Sequence, residues 1–442
     1  MTRPEGPGAV SRRSLLAGAV GTVGLIGGAT ALAGCAAATD DAPPAADGGP
    51  TGQGTATVEG SPVSLPSQHL PFFGPHQTGV TARHQANGLM AAFTVTSRDR
   101  EGLVEMLRAL TDESERIMTG KPYEERDPSF PPLYTGHITN PPPPHNLTIV
   151  VSVGASLFDE RYGLIDHKPV ELVKMPFLAN DRLDPERSHG DLLLTISSDS
   201  QDMNLFAVRQ LMRATRSHLA LHWMLEGYNR RVEAEPGEAG VRNLMGFIDG
   251  TANLNPAADA QMDKSVWVAA DDPEPAGVAG GTYHVVRTIR MLVEFWDRTR
   301  LGEQEALIGR RKANGAPLGG ERETDLPDFA SDPDGEVTPL DAHIRLANPR
   351  TPEVADQVIL RKGFSYSRGF DGAGQLDQGL AFVSFQRSIE RQFLPIQKRL
   401  DGEPLEEYIR PEGGGYFFAL PGVPEPGRYL GDAWFEAAPA PS

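Results

Sequence analysis

The spacing of hydrophobic positions changes repeatedly along the chain, and the changes mark out one pattern twice. Gly88-Leu89-Met90-Ala91-Ala92-Phe93-Thr94-Val95 is an apolar run of strand length. From Leu103 to Met118 the apolar residues fall at 103, 104, 107, 110 and 117, the stripe of an amphipathic helix. Leu147–Val153 and Asp191–Ile196 read as strands, 202–215 as a helix and Leu219–Leu225 as a strand. The second half predicts a long strand over 283–295, a helix over 301–311 and strands over 358–366 and 380–385. A helix over 388–400 follows. Strand–helix–strand–strand–helix–strand, twice over, predicts an α+β protein of two ferredoxin-like halves with antiparallel sheets and flanking helices. Joints at Glu235-Pro236-Gly237 and Asp272-Pro273-Glu274-Pro275 fall between elements. The halves are expected over 69–235 and 236–430, with a tail over 431–442.

The N-terminus follows a different rule. Ser11-Arg12-Arg13-Ser14-Leu15-Leu16 opens an Ala/Gly/Leu-rich run with no further charge up to Ala33. That is the pattern of an export signal with twin arginines of the Tat type, too rich in glycine and alanine for a membrane span. Leu32-Ala33-Gly34-Cys35 closes the run, and Cys35 is the only cysteine in the chain. A lone cysteine makes no internal disulfide. Its place after an apolar residue and two small ones marks Cys35 as the lipidated first residue of a mature lipoprotein. Residues 36–68 are rich in Ala, Pro, Gly, Thr, Ser and Asp, and read as a disordered tether. Localisation outside the cytoplasm is expected, by the Tat route, on the periplasmic or cell-surface side, with the lipid at Cys35 as the only membrane contact.

Charge narrows the function. The net charge is −18, and residues 1–34 contribute +2 through Arg3, Arg12, Arg13 and Glu5, so the remainder lies near −20. So acidic a chain is ill suited to neutralising phosphates, which excludes a nucleic-acid partner. His76, Gln77 and His84 lack a carboxylate cluster and read as loop residues. Trp223, Trp267, Trp296 and Trp434 read mainly as core. Walker loops, His-Glu-x-x-His and paired cysteines do not occur.

Three residues carry the chemistry. Asp249 sits among small neighbours in Gly246-Phe247-Ile248-Asp249-Gly250-Thr251, His343 in Asp341-Ala342-His343-Ile344, and Arg361 in Leu360-Arg361-Lys362-Gly363. A neutral imidazole can hold an iron. A carboxylate can move the proton of a peroxide, and a guanidinium stabilises charge as the O–O bond breaks. In this form the trio resembles the dye-decolourising peroxidase family over roughly residues 70–429. The likeness is closest to the exported subgroup that accompanies bacterial iron uptake. Gly281-Thr282-Tyr283-His284-Val285-Val286-Arg287, Val293-Glu294-Phe295-Trp296-Asp297-Arg298-Thr299, the His343 segment and Gly413-Gly414-Gly415-Tyr416-Phe417-Phe418 all read like that subgroup.

The resemblance implies a dimeric α+β barrel type of fold, with one haem b per chain held mainly by the second half. It implies His343 as the iron's axial ligand, and Asp249 and Arg361 as the catalytic pair. Gly250, Thr251 and Ala252, together with Asn348, Pro349 and Arg350, match positions of haem contact, and Arg350 suits a propionate. Arg287 is a second propionate candidate. The chain departs from the pattern at Ser388, where the family often has the aspartate that accepts from the ligand histidine; Glu390 is the local substitute. Because carboxylates titrate in acid, activity is expected to be best below neutrality. Three functions follow: a peroxidase using hydrogen peroxide and a small reductant, a deferrochelatase taking iron from intact haem, or a haem carrier without turnover. The implied partners are an iron-uptake permease and its iron-binding partner protein, with a homo-oligomeric state.

Overall fold

A computed structural model describes residues 67–229 and 241–438. The export signal, Cys35, nearly all of the tether and the joint at Glu235-Pro236-Gly237 lie outside the described residues.

The first half runs β1 (Asn87–Val95), α1 (Arg100–Thr119), β2 (Thr148–Gly154), β3 (Leu192–Ser198), α2 (Gln201–Ala214) and β4 (Leu219–Tyr228). A small hairpin, β5 (Val241–Arg242) and β6 (Ile248–Asp249), and α3 (Asp259–Ser265) lead to the second half. There β7 (Thr282–Met291), α4 (Val293–Trp296), α5 (Leu301–Ile308), α6 (His343–Ala347), β8 (Leu360–Arg361), β9 (Phe364–Phe370) and β10 (Leu376–Gln386) follow. A π-helical turn over Ile389–Phe393, then α7 (Leu394–Leu400), β11 (Ile409–Ala419) and α8 (Asp432–Ala437) complete the order.

Local chemistry sets the element ends. Helix α1 begins where Asp99 accepts a hydrogen bond from the Gly102 N–H at 2.9 Å. It stops at Gly120, whose φ of 70° lets its N–H turn back onto the Arg116 and Ile117 carbonyls. Its buried stripe, Leu103, Met106, Leu107, Leu110 and Ile117, faces the sheet.

Strand order is β2-β3-β1-β4 in one half and β9-β10-β7-β11 in the other, the same ferredoxin-like order counted within each half. The halves join edge to edge. β11 pairs with β2 through Phe417↔Gly154 and Ala419↔Ser152, and β4 meets β9 at Tyr228↔Ser365. The eight long strands therefore close into an antiparallel barrel with short β8 added along β10. Met90, Ala92, Leu193, Trp223, Val286, Val383, Phe385 and Phe417 are among the buried cluster that the inward faces form. The outward faces of the first half carry the layer with α1 and α2. On β7 the two faces part cleanly: His284 and Val286 belong to one, while Tyr283, Val285, Arg287, Ile289 and Met291 belong to the other. The lower end of that second face is a cavity wall rather than a helix-packing surface.

The structure revises three sequence expectations and adds one strand. The strand expected over 283–295 ends at Met291, because Val293 and Trp296, three apart, turn together into a third apolar cluster with Met245, Phe247 and Tyr408. The strand expected over 358–366 forms as β8 and the start of β9, which share one register against β10 as far as Ser367↔Gln378. Strand β11 was hidden by Pro411 and the Gly413–Gly415 run. The expected tail instead forms α8, with Trp434 buried at 1% exposure and edge-on to Phe158 of the first half.

One buried group makes the barrel sensitive to acid. His284 is fully buried, shares a 3.0 Å hydrogen bond with Ser152, and stacks on Phe385 at 4.4 Å between centroids. Its Nε2 has no hydrogen-bond partner among the described residues. Burial lowers its pKa from 6.5 to about 3. The unfolded chain gains a proton at this residue near pH 6.5, whereas the folded chain resists it until about pH 3. Stability contributed here is thus complete above pH 6.5 and is lost as pH falls through that window, by on the order of 4 kcal/mol. Urea unfolding of the haem-free protein between pH 7 and 4 should show a steeper loss in wild type than in His284→Asn. Parallel pH dependences would show that His284 does not carry the effect.

Candidate active site

Hairpin β5–β6 places Asp249. The Asn243 side chain accepts from the Met245 and Phe247 N–H groups, and Gly246 turns the chain at a φ of 86°. Phe247 is thereby driven into the third apolar cluster, and Asp249 emerges at the end of β6. Gly250 turns again at a φ of 97° with nothing within 4 Å of where a Cβ would stand, so this stretch leaves open space beside it. Arg361 arrives from β8, and its Nη1 donates to Asp249 Oδ1 at 3.0 Å. Both side chains are about one-third exposed, 31% for Asp249 and 34% for Arg361.

His343 begins the five-residue helix α6. Its Nδ1 lies 2.8 Å and 3.1 Å from the two oxygens of Glu403, a buried carboxylate. Glu403 can only accept from Nδ1–H, which leaves Nε2 as the unprotonated, metal-binding nitrogen of the neutral ring. Burial opposes the imidazolium form, but the Glu403 charge and hydrogen bond outweigh it and hold the pKa above the ordinary histidine value. Arg399 secures the other end of α6: Nε donates to the Leu346 carbonyl and Nη2 to that of Ala347, both at 2.9 Å. These are carbonyls that a short helix leaves without partners.

Asp249, Arg361 and His343 line one cavity of about 320 Å³. Gly250, Thr251, Ala252, Asn348 and Arg350 line it too, and Pro349 does not. Ile289, Met291, Leu380, Phe382, Phe393 and Ile396 supply apolar wall. The first half contributes Leu178, Asn180 and Asp181, from a strap held along β11 by Asn180 Nδ2 to the Ile409 carbonyl and the Arg182 N–H to the Pro411 carbonyl.

Three sequence assignments change. Ser388 and Glu390 do not serve His343: the Ser388 hydroxyl donates to Glu171 and caps the π-helical turn, and the Glu390 N–H also meets Glu171. Glu403 takes that place because the turn and α7 carry the chain back past α6; the signal was an acid beside Gly402, which has a φ of 81° just beyond a helix end. Arg287 is buried and committed to Asp181, leaving it unsuited to a propionate. Arg310, unremarked in the sequence, lines the cavity with Arg350, and neither makes an ion pair among the described residues.

A flat apolar macrocycle with two carboxylates and an iron needs apolar walls, uncompensated cations and a neutral imidazole. The cavity has the walls and the cations, and with Nδ1 held by Glu403 the His343 ring can give up its Nε2 proton to a metal, so the residues fit a haem. His343 backed by Glu403, facing a cavity shared with an Asp–Arg pair, defines the class of haem peroxidases.

Comparisons with known proteins specify the family. Residues 77–229 match the family model for the N-terminal part of Dyp-type peroxidases, and residues 240–424 the model for the C-terminal part. A deferrochelatase of Shigella sonnei is 47% identical over 83% of this chain and 87% of its own length. A DyP-type peroxidase of Streptomyces coelicolor is 36% identical, with a TM-score of 0.74 over 84% of this chain and 97% of that one. Ferric DtpA from Streptomyces lividans matches equally, at 36% identity and TM-score 0.74 over 84% and 98%. The chain belongs to the Dyp-type peroxidase family, and it is a haem enzyme.

The Glu403 contact has a measurable consequence. Glu403→Gln should keep haem but donate less charge through His343, raising the iron's reduction potential and slowing reaction with peroxide by about 10–100-fold. His343→Ala should lose haem or alter its Soret band. A Glu403→Gln protein with wild-type potential and rate would remove Glu403 from the account.

Proposed function

We propose that the chain cleaves hydrogen peroxide at a haem b bound through His343, one per chain, and oxidises organic reductants or ferrous iron. The observation that carries this is the 3.0 Å Arg361–Asp249 contact in the cavity that His343 lines. A carrier needs His343 but has no use for that pair.

When bound, haem supplies the redox-active iron. His343 Nε2 would hold it, with Glu403 fixing the ring's tautomer and strengthening its donation. Gly250, Thr251, Ala252 and Asn348 would lie against the macrocycle, and Arg350 and Arg310 would meet its carboxylates. Pro349, which does not line the cavity, leads into Arg350, whose φ is 59°. Asp249 accepts the proton from one peroxide oxygen and returns it to the other, which leaves as water. The Arg361 guanidinium stabilises negative charge on the departing oxygen.

A second reading rests on the deferrochelatases that share 47% identity over most of the chain. It is release of iron from intact haem, with delivery to an uptake permease and its iron-binding partner. The twin arginines and Leu32-Ala33-Gly34-Cys35 support Tat export and a lipid at Cys35. Among the described residues no helix is long and apolar enough to cross a membrane.

Both readings have direct tests. Asp249→Asn should retain haem and react with peroxide roughly 10²–10⁴-fold more slowly, and Arg361→Leu roughly 10²–10³-fold more slowly, in stopped-flow mixing. Wild-type rates in both would favour the carrier. Porphyrin fluorescence and chelatable iron appearing with equal yield from supplied haem would establish iron release, and intact haem after prolonged incubation would refute it. For location, mass spectrometry of membrane-bound protein should find an acylated N-terminal Cys35. A soluble form starting beyond residue 35 would contradict lipidation.

A further inference from the structure

Arg361 has one more partner than its role requires. Its backbone N–H donates to Asn253 Oδ1 at 2.9 Å, and Asn253 Nδ2 donates to its backbone carbonyl at 2.8 Å. The carboxamide meets both polar groups of one peptide residue, as a neighbouring strand would. The location explains the need. β8 is two residues long and is paired only with β10, through Arg361↔Ser384 and Leu360↔Phe385. Among the described residues its second edge has no strand beside it in the sheet. Asn253 occupies that edge from a loop 108 residues away in sequence.

That loop is the one that bears Asp249. The Asn253 N–H closes it by donating to the Gly250 carbonyl at 3.0 Å, and Thr251 Oγ1 ties it to Glu323 at 2.8 Å. Segment 249–253 therefore touches Arg361 twice, by Asp249 at the guanidinium and by Asn253 at the backbone. The first contact must open whenever Asp249 and Arg361 turn to peroxide. The second involves no group that reacts.

We propose that Asn253 is a positioning residue, whose two-bond clamp on the Arg361 backbone holds the Asp249 loop and the Arg361 strand in register while their ion pair opens. It acts through Arg361 and touches no reacting atom. The inference rests on the peroxidase reading of Asp249 and Arg361, but the clamp itself can be observed without haem. Of the residues that could fill the position, asparagine alone among the short side chains offers a donor and an acceptor in one plane; aspartate keeps only the acceptor.

Two measurements separate the clamp from its catalytic use. In haem-free protein, hydrogen exchange at the Arg361 amide should accelerate at least tenfold in Asn253→Ala. The Lys362 amide, held by the Val383 carbonyl at 2.8 Å, should stay as protected as in wild type. Asn253→Asp, which keeps the acceptor, should restore protection at Arg361. Unchanged exchange at Arg361 in Asn253→Ala, or equal acceleration at both amides, would overturn the clamp. In haem-loaded protein, Asn253→Ala should slow the peroxide reaction about tenfold, and should add nothing to the loss in an Arg361→Leu background. A full additional tenfold loss in that background would show that Asn253 acts elsewhere. If Arg361→Leu itself proves to react at the wild-type rate, the peroxidase reading fails, while the exchange result still decides the clamp.

Discussion

The site depends on the hydrogen-bond ladder of β10. One edge of this strand pairs with β7 over 379–386 and closes the barrel; the other carries β9 and β8. At Gly379 a Cβ would stand 2.0 Å from the Ile289 carbonyl oxygen, so the β7 seam tolerates no side chain there. Leu380 and Phe382 form cavity wall, Arg361 rides on the outer edge opposite Ser384, and the strand runs on to the capped turn and α7, which supply Phe393 and Ile396. Barrel closure, cavity wall and the guanidinium's position are therefore one constraint. A shift of one residue in β10 would turn its wall-forming side chains inward and move Arg361 away from Asp249.

Within that frame the charges are deployed unequally. Arg287 and Asp181 neutralise each other in a fully buried pair that fastens the first half's strap to the floor of the site. Asp249 and Arg361 form a half-open pair that solvent and substrate can reach, as a proton carrier and a stabilising cation require. His343 and Glu403 are directed so that the free nitrogen is the one able to bind metal. Arg310 and Arg350 make no ion pair among the described residues, although the Glu323 charge acts on Arg310, and burial lowers the pKa of both. Uncompensated cations in a partly dry cavity are costly unless a ligand brings anions, which is what a dicarboxylate macrocycle does.

Much of this could be read from the sequence, because the informative signals were local. Apolar periodicity located most of the strands and long helices, since each buries one face. Asp249, His343 and Arg361 stood out because the short segments around them resemble those of the dye-decolourising peroxidase family. What escaped depended on distance along the chain. Glu403 reaches His343 across 60 residues, and the nearer Ser388 drew the assignment although it caps a helix and binds Glu171. Asn253 reaches Arg361 across 108 residues. Arg287 looked free because Asp181, its partner, sits in a first-half strap with no periodic pattern. β11 lacked apolar alternation where Pro411 and three glycines interrupt it, and the short α8 is held by Trp434 and by Arg100 over Phe435, contacts that no periodicity marks.

The central claim is that one cavity presents His343 to iron and the Asp249–Arg361 pair to peroxide. A crystal structure of the chain loaded with haem b tests it most directly. The account predicts a bond from His343 Nε2 to iron, with Nδ1 still on Glu403 and with Asp249 and Arg361 together on the opposite face of the macrocycle. Iron held by any other residue, or the Asp–Arg pair lying on the same face as His343, would contradict it.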